Sequence, residues 1–306
     1  MAARSPSLAF LAFVAVIVLI VAGVGGGLLF LANHPKPLAS PLTVARGDNV
    51  TVDYIGIFAS GPEINKVFDT SLRSVADNNA SYPKSLEYTP RNASGYAPLG
   101  VHVGPKAPRH GYTVNGQSYG TVVPGFWQGL LGLAVNQSRE VTFSSSLGYG
   151  PLNSSCLVTA PLVQTIPTVI SVTTELFNKD YVGVKAATGV VFTDPVYKWT
   201  DRIASANASW VVIDRNPTLG QAISPYGWTM RVTNLTSRAI TLTNELSEAS
   251  AGNVLGTISN TTVCAMTKFV VWSVNGPSGT FVENYNREVV GVSLKFVVTI
   301  KAIHPP

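Results

Sequence analysis

Apolar and polar positions follow three regimes along the chain. Between Leu8 and Ala32 no residue is charged and most side chains are apolar. A bilayer takes about 20 apolar residues at about 1.5 Å of rise each, so this run predicts a transmembrane signal anchor over residues 1–32. It outlasts the roughly 7–15-residue core of a cleaved leader, and Leu31-Ala32-Asn33 is a poor cleavage context. Arg4 ahead of the run favours N-inside, C-outside, although His34 and Lys36 behind it blur that signal. Residues 33–45 read as a Pro-containing polar linker. The second regime begins at Asn49-Val-Thr-Val-Asp-Tyr54-Ile-Gly-Ile, whose alternation predicts a half-buried strand that ends at Ser60-Gly61-Pro62. Val67–Ser71 follows as a short strand and its exit. Residues 73–119, rich in Pro, Gly, Asn, Ser and Tyr, show no period and read as a long irregular excursion. Val122–Leu131 predicts one or two turns of helix behind Pro124, Gln137–Ser145 a strand, and Leu147–Pro151 a turn. The third regime, residues 152–285, contains only strand-like runs divided by turn signals such as Asn216-Pro217 and Asn275-Gly276-Pro277, with no convincing internal repeat. Val289–Ile303 closes the chain as one long alternating strand.

Composition agrees with this β-rich pattern. Hydrophobic residues make up 46% and charged ones only 12% of the 306 residues. The net charge of +5 is spread out with no basic run, which argues against a nucleic-acid partner. Eight Asn-X-Ser/Thr sequons, at Asn49, Asn79, Asn92, Asn136, Asn153, Asn207, Asn234 and Asn260, fit an exported glycoprotein, with chance in an Asn- and Thr-rich chain as the alternative. Cys156 and Cys264 are the only cysteines. Outside the membrane they are free to form a disulfide, which would close a loop of more than 100 residues and add up to about 4–5 kcal/mol in the chain-entropy model. Two separate buried thiols are the other reading. Four histidines, at 34, 102, 110 and 304, lack ligand-like spacing, so neither metal nor cofactor is expected.

Five fragments carry a family resemblance. Gly47-Asp48-X-Val50-X-Val52-X-Tyr54-X-Gly56, Val67-Phe68-Asp69-Thr70-Ser71, Val122-Val123-Pro124-Gly125-Phe126, Tyr149-Gly150 and Asn286-X-X-Val289-Val290-Gly291-X-X-Leu294-X-Phe296-X-Val298 resemble, in order and register, the FKBP-type peptidyl-prolyl isomerases. The resemblance covers roughly residues 46–72, 120–151 and 286–304. Between Gly150 and Asn286 the bacterial SlyD-type members carry a chaperone insert, and here the insert is about twice as long. Trp210–Gly220 offers a competing closing segment, but Leu294-Lys295-Phe296 alternates without interruption and is preferred. The implied fold class is α+β: an FKBP-like antiparallel half-barrel sheet around a short helix, formed by residues 46–151 and 286–306. An all-β insert over 152–285 and the N-terminal transmembrane helix complete it.

The implied chemistry is rotation about the X-Pro amide, against a barrier of about 18–20 kcal/mol set by resonance. Water stabilises the polar planar amide. A dry aromatic cradle favours the twisted one, so differential binding suffices without a nucleophile or metal. By resemblance, Tyr149 donates its hydroxyl to the substrate carbonyl, while Asp69 orients Tyr54 at the rim. Phe68, Val122, Val123, Phe126 and Phe296 bind substrate. Phe126 stands where many members carry Trp, and a one-residue slip would put Trp127 there instead. Without the resemblance, alternating Tyr, Phe and Val are ordinary core and Asp69 a turn cap. The insert's short strands offer edges to extended or unfolded proline-containing clients. Its aromatics, Trp199, Trp210, Tyr226, Trp228 and Trp272, are either core, the preferred reading, or a sticky face. The expectation is therefore a membrane-tethered isomerase and chaperone for exported proteins, with its domains outside the cytoplasm. The rivals are a holdase or a surface glycoprotein with an inactive pocket.

Overall fold

The computed structural model describes residues 41–106, 112–114, 116–257 and 263–306. The predicted anchor and most of the linker lie outside them, as does the sequon at Asn260. The α+β class is overturned. The chain is mostly β, 42% strand against 12% helix, in several antiparallel sheets. The reason is local: the described α-helices are a single turn, α1 (Arg73–Ala76), and two seven-residue segments, α2 (Pro124–Leu130) and α3 (Thr174–Asp180). Nearly everything else that could pack does so as strands.

The sheet that matters for the site is built from β1 (Asn49–Phe58), β2 (Val67–Thr70), β3 (Leu99–His102), β6 (Ser138–Phe143) and the closing strand β19 (Leu294–His304). Between β3 and β6 lies a small hairpin, β4 (Tyr112–Val114) with β5 (Gln117–Tyr119). The order is β2-β1-β19-β6, with β3 sharing the β2 side of β1. Thus β1 and β19, about 240 residues apart in sequence, pair antiparallel from Asn49↔His304 to Phe58↔Leu294. Alternation chooses the faces. Val50, Val52 and Tyr54 on β1 and Leu294, Phe296, Val298 and Ile300 on β19 turn into one core. Helix α2 covers it with Phe126, Trp127 and Leu130, its N-terminus set by Pro124 at the first turn. The excursion is only partly irregular. Its α1, β3 and hairpin were missed because each spans four residues or fewer, too short for a period to register.

The insert holds a repeat that its sequence hides. Three consecutive legs, β7 (Leu157–Pro161), β8 (Val163–Pro167) and β9 (Val169–Thr173), start six residues apart. The chain then returns as three meanders: β10 (Val191–Thr193) to β12 (Trp210–Arg215) through β11 (Thr200–Ala206); β13 (Ala222–Ile223) to β15 (Ala239–Asn244) through β14 (Met230–Leu235); and β16 (Leu255–Thr257) to β18 (Thr280–Asn284) through β17 (Lys268–Asn275). These close in turn on β9, β8 and β7, giving three nested four-stranded sheets. Each middle strand bulges at the same place, between Ile203/Ser205, Val232/Asn234 and Val271/Ser273. The junctions recur every six residues. The carbonyls of Cys156, Leu162 and Thr168 accept from Tyr285, Asn244 and Arg215 N–H at 2.9, 2.7 and 2.8 Å. The N–H groups of Leu162, Thr168 and Thr174 donate to the hairpin-turn carbonyls of Gly279, Arg238 and Ser209. Sequence self-similarity is faint because main-chain bonds carry the repeat, and the hairpin turns differ in length.

Two further expectations for the insert change. It is not strand alone: α3 begins at Thr173, whose Oγ1 accepts the Leu176 N–H. Cys156 and Cys264 are joined in a disulfide, so the separate-thiol reading falls. Trp199 and Trp228 are buried in the insert core with Tyr226 packed on it, while Trp210 is about half exposed. Trp272 packs instead against the core of the first sheet. Residues 42–306 form one compact unit, and Lys66 Nζ ties the first sheet to the insert by donating to the Gly252 carbonyl and Asn253 Oδ1.

Candidate functional site

Tyr54 sits at the middle of β1 with its ring turned into the core. Its neighbour in the sheet is fixed by register: Gly56 stands between Asp69 on β2 and Phe296 on β19. Glycine is required there, because a Cβ would lie 2.6 Å from Phe68 Cζ and 3.0 Å from Phe296 Cε1. The missing side chain lets two rings close over the strand. Phe296 becomes the hub. Its ring centroid is 4.8 Å from Phe126 and 5.5 Å from Phe68, both edge-on, and 5.7 Å from a stacked Phe143. Tyr54 lies edge-on to Phe126 at 6.0 Å. These geometries are the favourable ones for aromatic quadrupoles.

The polar rim is equally specified. Tyr54 Oη donates to Asp69 Oδ2 at 2.6 Å. The Asp69 backbone is pinned from the next residues: Thr70 Oγ1 donates to the Tyr54 carbonyl at 2.8 Å, and Ser71 Oγ accepts the Tyr54 N–H at 2.9 Å. Burial first, and then the Asp69 charge, hold the Tyr54 hydroxyl far above the usual phenol range, so it remains a donor. Arg91, from the excursion, donates to Tyr54 Oη at 3.0 Å and to Asp69 Oδ1. Sequence reasoning missed Arg91. Its segment has no period, and only the fold returns residue 91 to the mouth of a cleft built on residues 54 and 69.

A cavity of about 510 Å³ opens over this box, lined by Tyr54, Phe68, Asp69, Leu99, Pro105, Thr121, Val122, Val123, Phe126, Tyr149 and Phe296. All eight side chains singled out from the sequence as catalytic or substrate-binding are among them. Trp127 is not: its indole is buried in the core beneath α2, with the Arg46 guanidinium 5.4 Å from the ring centroid. Phe126 therefore supplies the aromatic surface from α2. Tyr149 stands at the edge, 42% exposed, on the turn behind β6. Burial of its inner part raises its hydroxyl pKa, and among the described residues that hydroxyl has no hydrogen-bond partner. The Arg287 guanidinium lies 6.0 Å from its ring. Tyr112 is in β4, and its side chain is outside what is described. The sequon at Asn49 is closed in the folded chain: Asn49 is 4% exposed and its Oδ1 is 3.0 Å from His102 Nδ1.

What this arrangement can do is hold a small apolar ring among aromatic faces, exclude water from it, and offer a tyrosine hydroxyl at the rim. No protein-family model matches the chain, and a comparison with curated proteins returns no match.

Proposed function

We propose that this chain is a membrane-anchored peptidyl-prolyl cis–trans isomerase of the FKBP type, acting on extended segments of exported proteins. One observation supports the reading above all others: eight residues chosen from sequence fragments up to 240 positions apart line a single aromatic cavity. The proline ring enters between Tyr54, Phe126 and Phe296, where the preceding amide loses its water. The planar amide carries more charge on its oxygen than the twisted one, so desolvation raises the ground state more than the transition state. The Tyr149 hydroxyl, without a hydrogen-bond partner among the described residues, steadies the substrate carbonyl. Asp69 and Arg91 fix Tyr54 and keep the rim polar, so the peptide on either side stays solvated.

The insert contributes client binding. The legs β7, β8 and β9 are edge strands in all three sheets. Residues 157–174 hold no charge, and every second residue from Thr159 to Thr173 is exposed. Uncharged edges of this kind accept an extended chain through main-chain bonds. That feature also favours the second reading, a holdase whose cleft is idle.

A protease-coupled assay on a short X-Pro peptide separates the two. The isomerase reading expects catalysis by the intact protein and a loss of about 2- to 10-fold in Tyr149→Phe, the worth of one hydrogen bond of ~0.5–1.5 kcal/mol. Rates no faster than the uncatalysed peptide for both proteins would remove it. Suppression of client aggregation that persists in Tyr149→Phe and vanishes on deleting residues 152–285 would leave the holdase. Neither activity would leave a surface glycoprotein.

A further inference from the structure

The nested repeat of the insert aligns residues that the sequence does not. Two positions before the last paired residue ahead of each bulge stand Asp201, Met230 and Phe269. They are 0%, 0% and 1% exposed. In two sheets this slot holds an apolar side chain of the insert core. In the β9–β12 sheet the same slot holds a carboxyl group; among the described residues neither oxygen makes a well-formed hydrogen bond, and only the Asp194 carboxyl and the Asn216 backbone stand close enough to interact with it weakly. A buried polar group in that state is costly, and a buried charge far more so.

The charged and titratable groups around it come from each neighbouring element. Ahead of β11, Asp194 is 2% exposed, and its Oδ1 accepts from Val196 and Tyr197 N–H at 2.8 and 2.7 Å. On β12, Arg215 pairs in register with Asp201. Its Nε also lacks a partner, and its guanidinium lies 5.9 Å over Tyr197. Asp214 on β12 and Arg202 on β11 form an ion pair at 3.3 Å. From α3 and its end come Asp180 and Tyr181. Strand β10 supplies no titratable group. A cavity of about 400 Å³ beside it is lined by Asp201, Arg202, Asp214 and Arg215, while the carboxyl oxygens themselves stay buried. Burial, then the Asp194 charge, push Asp201 up to about 7 against the pull of Arg215.

We infer that the β9–β12 module is a pH-responsive element: Asp201 sits neutral in its core slot in acid, and its ionisation as pH rises through neutrality loosens this module while the modules holding Met230 and Phe269 stay closed. The sign follows from linkage. The folded state binds this proton more tightly than the unfolded chain, whose carboxyl titrates near ~3.9. The stabilisation is complete below that value, declines as pH climbs towards about 7, and is level above it. The inference goes beyond the isomerase reading and stands without it.

Hydrogen exchange on the full chain tests it. After correction for intrinsic exchange rates, amides of β11 and β12 lose about 10- to 100-fold protection between pH 5 and pH 8 relative to β14 and β15, since one linked proton changes the opening constant by up to ~10-fold per pH unit. Asp201→Met, which restores the residue of the repeat, flattens that difference and raises protection at pH 8. Parallel protection of the modules across the range overturns the inference, as does pH sensitivity that survives in Asp201→Met. If the variant does not fold, carboxyl carbon NMR of the wild-type protein decides: an aspartate titrating near neutrality supports the inference, and none titrating above about pH 5.5 overturns it.

Discussion

Gly56→Ala probes the aromatic box without removing any group from it. The added Cβ would lie 2.6 Å from Phe68 Cζ, 2.9 Å from Phe68 Cε2 and 3.0 Å from Phe296 Cε1. Carbon atoms pack best at about 3.5–4.0 Å, so the rings must retreat by about 1 Å. Neither has room. Phe68 is held at 5.0 Å by Phe58, and Phe296 is wedged between Phe126 and Phe143. Overpacking of this kind costs about 1–3 kcal/mol. A displacement of about 1 Å in a ring that lines the cleft is enough to reduce turnover by up to ~10²-fold if the box is the site of catalysis. Gly120→Ala is the control: a Cβ there meets nothing within 4 Å, so stability changes by less than ~0.5 kcal/mol. Urea denaturation measures the first effect and the coupled X-Pro assay the second. Equal midpoints for the two variants would refute the packing argument. A destabilised Gly56→Ala that keeps full turnover would refute the assignment of chemistry to this box.

Other consequences follow from the insert and its border with the first sheet. The disulfide between Cys156 and Cys264 spans 108 residues. Reducing it removes up to about 4.7 kcal/mol by the chain-entropy relation, so denaturation in dithiothreitol should show a clearly lowered midpoint; an unchanged midpoint would mean the unfolded insert is already constrained. Glu288 lies beside Tyr149 in a neighbouring cavity, and burial pushes its carboxyl up to about 7. Its folded value exceeds the unfolded one, so its contribution falls as pH rises through neutrality. Glu288→Gln should therefore raise the melting temperature at pH 8 and leave it nearly unchanged at pH 5, and the opposite pattern would count against the assignment.

The pocket side chains were legible in the chain because short motifs resemble those of the FKBP-type isomerases; strand alternation alone leaves them as ordinary core. Tyr54, Phe68, Asp69, Phe126, Tyr149 and Phe296 were all reached that way. Arg91 was not, because a residue in an aperiodic excursion carries no local sign of where its guanidinium will end. The class was misjudged because motifs of a helix-bearing family weighed more than the strand-rich composition of the insert. The repeat escaped for a different reason. Its period lies in main-chain bonds at Cys156, Leu162 and Thr168, which any side chain can make, whereas its equivalent core positions carry Asp201, Met230 and Phe269.

The sequence alone determined the longer alternating strands, such as Asn49–Phe58 and Leu294–His304, and which face of each is apolar, since a period of two is a local property of neighbouring residues that three or four residues are too short to show. It also limited covalent cross-linking to one pair of cysteines. Tertiary structure decided which strands meet: β19 against β1 across the whole insert, and each meander against its leg. It also decided that Asn49 is closed to modification, that Phe126 rather than Trp127 faces the cleft, and that a carboxyl lies in a slot built for a hydrocarbon. Those outcomes depend on partners far away in sequence, and the free energy of a buried group is set by its surroundings rather than its neighbours in the chain.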